Sequence, residues 1–506
     1  MTIRRKSGII GAATLAVALI LTGCSTTTST GPSEDVPQVL NYVPGLFPVS
    51  LDVQTYPAEE GVQVAAQQVL ETLVTYEDGK ASPLLAESWD TPDDLTWTFH
   101  LRKAKFSDGS DFTAADVKGS IDRLIGLKGA LAPVLAQITT TTADDDRTFT
   151  IKTDQPLGTL LSTLSLVFIG QGDKVGDLEY WKKPIGTGPF TVSEYVADDH
   201  VTLERNKNHW GKKALLTKVD ILNMPEVASK ITALQNGEVD ILTTIPPDQV
   251  SSVDGQEGIK FIMSDSFLYY FIWFNQNNKP FDNVKVRQAM WHAVDFASIN
   301  KDLYGDGASL AKAPVTQSVF GAPALAPYKY DKALAKKLLS DAGYPDGFTT
   351  SIQWPRETGP NVKALAQAMI SAWAEIGIQV EPLEKERAQW LADFGALNWD
   401  LNLQTNATGT GDADFTLNRL YTCAAKRMGY CNPELDTLLN QARASQDQSE
   451  REGIYAKASK IIWEDAVGIF PTDLKNSAAY RTTVKGFTLP TNGRPDFSKV
   501  FITSGD

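Results

Sequence analysis

Strand-period and helix-period segments alternate through residues 38–506, with no Pro- or Ser-rich linker between them and no internal repeat of 20–50 residues. That continuity points to an α/β protein whose domains are joined by crossing strands, and argues against a solenoid, a β-sandwich or beads on floppy tethers. Leu95 to Arg102 alternates apolar and polar residues without a break, the pattern of a half-buried strand. Thr113-Ala-Ala-Asp116 follows as a capping-box-like helix start, with Val117, Ile121 and Leu124 along one face. Arg147–Lys152 reads as a strand, and Phe190–Tyr195 with Val201–Glu204 as a hairpin. Ile231 onward reads as a helix stopped by Gly237, with a strand reaching Ile241 directly after it. Helical stripes are predicted over Val286–Leu303, Asp331–Ala342 and Val362–Ile376, the last followed by the strand Ile378–Glu381.

The amino terminus sets the compartment. Arg4, Arg5 and Lys6 precede a mostly apolar run from Gly8 to Ile20, too short to span a bilayer as a helix and therefore read as a secretion signal. Leu21-Thr-Gly-Cys24 resembles the bacterial lipobox, which implies diacylation of Cys24 after removal of residues 1–23. Seven of the nine residues 25–33 are Ser or Thr, a flexible tether, placed at 24–35 together with the lipidated cysteine. Cleavage removes three positive charges and no negative one, taking the net charge from -14 to -17. Such an acidic chain is not a nucleic-acid binder. With Cys24 assigned to lipid, Cys423 and Cys431 remain, eight apart in an oxidising compartment, and are expected to form a disulfide, two free thiols being the alternative.

Motifs for catalysis are lacking. There is no Gly-x-Ser-x-Gly elbow, no Ser-x-x-Lys and no phosphate-cradling loop, and Gly186-Thr-Gly188 lacks the third glycine of a dinucleotide fingerprint. The four histidines have no zinc-site spacing, and Asp144-Asp-Asp146 or Asp111 with Asp116 lack that of a calcium loop, so these acids read as turns and caps. Neither an enzyme nor a cofactor or metal is expected. The eleven Trp and fifteen Tyr fit a core plus the lining of a pocket for an organic ligand.

Eight segments occur in a family's order: Leu85–Trp89, Trp97–Gly109, Phe112–Val117, Gly186–Phe190, Glu204–Asn206 with Trp210, Asn236–Ile241, Val286–Ala289 and Asn432–Asp436. Through them the chain resembles the extracellular solute-binding family 5, the receptor lipoproteins of ABC importers for dipeptides, oligopeptides and nickel. The resemblance implies a periplasmic-binding-protein-like α/β fold of two hinged lobes and three domains. Domain I would comprise residues 36–72, 184–272 and 476–506, domain II residues 73–183, and domain III residues 273–475. It implies a monomer held at the outer face of the cytoplasmic membrane by its lipid, with a small-molecule or peptide ligand and permease and ATPase partners.

Carried onto this sequence, the dipeptide-binding branch's carboxylate-gripping arginine falls at Arg356, beside Trp354, with a surface or lobe-to-lobe ion pair as the alternative. The branch's amine-binding aspartate falls at Gly409, a departure that weighs against recognition of a free amine. Asp412 or Asp414 would substitute after a small loop shift, or else cap the helix beginning near Phe415. Trp399 and Phe415 are candidate pocket walls, core packing being the other reading. A nickel chelate, haem, an opine or an oligosaccharide is the alternative cargo, and a non-transport envelope regulator the alternative role.

Overall fold

In the computed structural model the residues described are 36–504, apart from 58, 130 and 359; the leader, Cys24 and the tether lie outside them. No helix among the described residues is long and apolar enough to cross a membrane.

A continuous sheet runs through the molecule in the order Gln379–Lys385, Thr349–Pro355, Leu401–Ala407, Ile259–Phe274, Gly468–Arg481, Ile241–Thr243, Val39–Val43, Lys218–Leu222, His200–Arg205, Phe190–Val196. Its two middle strands are the longest, 16 and 14 residues, and pair antiparallel from Ile259 opposite Arg481 to Trp273 opposite Gly468. One end of this pair joins Ile241–Thr243, and the other joins Leu401–Ala407. Between them the register breaks from Asp265–Lys475 to Tyr269–Asp473, leaving Ser266, Phe267 and Leu268 as an irregularity where ladder bonding is lost. The halves are thus connected by crossing strands, as the absence of a linker led one to expect.

Among the described residues, four buried apolar clusters follow from this layout. Leu40, Phe190, Val219 and Ile241 lie in one, and Val43, Leu234, Leu242 and Ala479 form a smaller one against the same strands. The largest gathers Tyr269–Phe274 with Trp291, Trp354, Trp373 and Trp463. A separate four-stranded sheet, Ala86–Asp93, Thr96–Leu101, Thr148–Thr153 and Ile138–Ala143, builds the fourth with the helix Ala114–Leu127. Here Trp97, Phe99 and Leu101 point inward at every second position, and Thr113 with Asp116 closes the capping box.

Elsewhere the chain follows its local signals, with one correction. Val286–Leu303 is two helices, Val284–His292 and Phe296–Tyr304. Asp295 accepts the Ser298 N–H at 3.1 Å and starts a new helix after the first ends at Ala293. The apolar stripe passes through that break because both helices bury against the same core. Gly237 ends the helix Val227–Asn236 at φ 79°, and Cys423 is bonded to Cys431.

Candidate functional site

The body built on the four-stranded sheet meets the body holding the largest core face to face. Tyr76 Oη donates to Asp412 Oδ2 at 2.7 Å, and the Gly158 N–H to the Arg443 carbonyl at 2.8 Å. Gln448 Nε2 donates to the Gly79 carbonyl. A Cβ placed on Gly409 would lie 3.5 Å from Leu166 Cδ1 and 3.6 Å from Phe415 Cζ, so the loop 408–411 rests against the opposite body with room for little more than a methyl group. Phe415 is half-buried and packs on that body's apolar cluster. The structure therefore brings Gly409, Asp412 and Phe415 to the seam between the bodies.

Both aspartates are already occupied. Asp412 is fully buried, caps the helix Ala413–Tyr421 by accepting the Asp414 N–H at 3.0 Å, and is ion-paired with Arg451. Tyr455 Oη donates to its other oxygen at 3.1 Å. Asp414 is held by Arg443 through contacts of 3.1–3.2 Å. Burial opposes the Arg451 charge, but Asp412 and Tyr455 raise its pKa above the usual guanidinium value, so the cation is retained. Burial, followed by the Asp412 charge, keeps the Tyr76 and Tyr455 hydroxyls protonated and able to donate. A carboxylate bound by one guanidinium, two hydroxyls and a backbone N–H has little left to offer a ligand.

The remaining candidates lie elsewhere. Trp354 is 2% exposed, on the face of Thr349–Pro355 turned into the largest core. Trp399 is 5% exposed and stacked on Phe394 with ring centroids 6.2 Å apart. Core packing describes both. Arg356 follows the strand Thr349–Pro355, with a side chain 59% exposed and paired to Glu386 of the same body. Ion pairs this exposed contribute about 0–1 kcal/mol, so a competing carboxylate would displace Glu386 at small cost.

Other site-forming residues were not visible in the sequence. Asp473 sits opposite Tyr269 beside the irregularity of the crossing strands, 7% exposed, accepting the Gln317 N–H at 3.3 Å through Oδ2 while Oδ1 has no partner among the described residues. Burial pushes its pKa up to about 7, assisted by Asp265 and opposed by Lys312. Tyr76, Arg443 and Arg451 join the aspartates from distant segments; the one local signal is Arg451 with Tyr455, four apart on one helix face.

The comparisons agree with this architecture. Residues 80–427 match the model of bacterial extracellular solute-binding proteins, family 5 (middle). The glutathione-binding protein GsiB of Pectobacterium atrosepticum is 30% identical over 456 residues, covering 85% of this chain and 88% of that protein. The heme-binding protein A of Haemophilus influenzae is 28% identical over 87% of each chain. The Helicobacter pylori periplasmic binding protein DppA, solved with the peptide STSA, superposes with TM-score 0.79 at 28% identity, covering 92% of this chain and 98% of its own. A matched stretch of that length, with a relative 30% identical over most of both chains, makes this chain a member of the bacterial extracellular solute-binding proteins, family 5.

Proposed function

We propose that this chain is the substrate-binding lipoprotein of an ABC importer, capturing short peptides or peptide-like solutes outside the cytoplasmic membrane and delivering them to the permease as its lobes close. In this reading Cys24 carries the lipid, and residues 36–72, 184–272 and 476–506, residues 73–183, and residues 273–475 are domains I, II and III. The protein acts as a monomeric carrier without catalysis. The observation that carries the proposal is mechanical. The body on the four-stranded sheet touches the largest-core body through Tyr76 and Asp412, while two long strands, irregular at Ser266–Leu268, tie the largest-core body to the half of the sheet that holds Ile241–Thr243 and Val39–Val43. Contacts made only in the closed form bias a hinge equilibrium toward closure, and a solute bridging the seam adds to that bias.

The names of two relatives, a glutathione-binding protein and a DppA solved with a peptide, favour a peptide-like cargo. Arg356 is the proposed grip on the cargo's carboxylate. A second reading, a solute without a free amine, is favoured by a specific observation: Gly409 supplies no carboxylate, and Asp412 and Asp414 are saturated by arginines. Native mass spectrometry of protein purified without refolding, followed by titration of a mixed di- to tetrapeptide library with tryptophan fluorescence, decides between them. A retained peptide mass and saturable fluorescence change are expected; a retained non-peptide mass with no response to millimolar peptides would overturn the peptide reading.

A further inference from the structure

Beyond the matched charges of Asp412 and Asp414, the helix Ala413–Tyr421 and the disulfide loop after it carry two arginines with no acid. Arg419 directs Nη2 to Asn406 Oδ1 at 2.8 Å and lies with Cζ 5.0 Å from the Phe415 ring. Arg427 has its Cζ 6.0 Å from the Phe394 ring, and its buried Nε has no hydrogen-bond partner among the described residues. Neither forms an ion pair among the described residues. Burial, with the charge of Arg427 acting in the same sense, lowers the Arg419 pKa from its usual value. A helix C-terminus favours a nearby cation, but it does not explain a second one or satisfy the donors that surround both.

Those donors belong to one face of the sheet. Leu401–Ala407 pairs with the crossing strand so that Asn402, Gln404 and Asn406 stand opposite Trp273, Phe271 and Tyr269. Among the described residues, two buried amide donors on this face have no partner, Asn402 Nδ2 and Gln404 Nε2; Trp273 Nε1 and Tyr421 Oη make no well-formed hydrogen bond, though the Tyr421 hydroxyl lies near enough to Trp273 and Tyr269 to interact with both. Trp273 connects the group, stacked on Phe394 at 6.0 Å and edge-on to Tyr421 at 6.1 Å. Three of these four atoms can only donate, as can Arg427 Nε. Buried donors left unpaired are costly, and a set of them beside two guanidinium groups that meet no acid matches one chemistry, an acceptor-rich anion.

We infer that Arg419 and Arg427, with Gln404 and Tyr421, form an anion subsite that selects a cargo carrying a carboxylate side chain. The inference rests on the solute-binding reading above and names the chemical class that this receptor prefers. Phe415, which touches Arg419 and packs on the opposing body, places the subsite's edge at the seam.

The test uses two tripeptides that differ in one group, Ala-Glu-Ala and Ala-Gln-Ala, titrated calorimetrically into the purified protein. The expected result is at least about tenfold tighter binding of the glutamate peptide. In Arg419→Gln/Arg427→Gln that preference collapses to within about twofold because Ala-Glu-Ala loses more affinity than Ala-Gln-Ala, and Arg419→Lys/Arg427→Lys retains part of it. Equal affinities in the wild type, or an undiminished preference in the glutamine double variant, would overturn the subsite. If neither tripeptide binds, the peptide reading fails by itself and glutarate decides the subsite. Glutarate raising the Tm of the wild type but not of the glutamine double variant supports it; no shift in the wild type overturns it.

Discussion

The two ends of the helix Ala413–Tyr421 treat charge in opposite ways. At its start Asp412 and Asp414 are buried, and each meets an arginine brought from another helix. At its end Arg419 and Arg427 meet no acid among the described residues, and the buried amide donors of Asn402 and Gln404 near them lack partners there. Burying a charge is costly in both cases, yet only the first set is repaid within the fold. Matched charge reads as architecture. Unmatched charge beside a seam reads as a place prepared for something that arrives later.

Removing one member of the matched set should produce the largest effect. Arg451→Ala leaves Asp412 buried without its cation, and a loss of about 3–5 kcal/mol in unfolding free energy is expected. Arg419→Gln, in contrast, should change stability by no more than about 1 kcal/mol in the absence of ligand, since the loss of its hydrogen bonds to Asn406 and, at 3.4 Å, to the Phe415 carbonyl is offset by relief of a desolvated charge. Urea unfolding of both variants measures the contrast. Equal losses would erase the distinction between the two ends.

Asp473 extends the comparison to an unmatched acid. Its folded pKa of about 7 lies above the ordinary aspartate value, so between about pH 4 and 7 the native state holds a proton that the unfolded chain has released. This group's contribution to stability is therefore full below about pH 4, falls as pH rises toward 7, and is flat above it. Asp473→Asn should equal the wild type near pH 4 and exceed it by roughly 2–4 kcal/mol at pH 8. Unfolding measured across that range checks it, and a pH-independent difference would mean that Asp473 is compensated in solution.

How much of this the sequence announced depends on how local each feature is. The capping box at Thr113, the Gly237 stop and the hairpin around Ala197–Asp199 need only neighbouring residues, and all were legible. The crossing strand was not. Tyr269–Phe274 is buried on both faces and therefore shows no alternation, the signature by which strands are recognised. The reading of Asp412 as a cap was available from the sequence, but its partner Arg451 lies 39 residues onward and arrives through helix packing. Trp354 and Trp399 show the same limit: an aromatic near a candidate loop gives no sign of which face of the sheet it will occupy.

The Tyr76–Asp412 hydrogen bond asks whether the matched cluster also assists closure. Asp412 retains Arg451 and Tyr455 when the tyrosine hydroxyl is removed, so Tyr76→Phe should cost only about 1–1.5 kcal/mol, and only in the closed form. The expected outcome is a ligand affinity reduced up to about tenfold, with a larger radius of gyration by small-angle scattering. An unchanged affinity and radius would confine the cluster to one body.

Arg356 should show the smallest change in stability, and it divides the two kinds of charge most finely. Its pair with Glu386 is matched but exposed, so solvent screens it and the pair contributes at most about 1 kcal/mol. Arg356→Ala is accordingly expected to leave Tm almost unmoved at any salt concentration. Binding is a separate matter. A guanidinium that exchanges a surface glutamate for a ligand carboxylate gains a better-desolvated partner as the bodies close, and losing it should weaken a peptide with a free C-terminus more than its C-terminal amide. Equal weakening of acid and amide, or none of either, would make Arg356 an ordinary surface residue. The carboxylate preference would then rest on the unmatched pair alone, because Arg419 already bears the desolvation that Arg356 avoids by remaining in water, and Arg427 holds a buried Nε without a partner among the described residues.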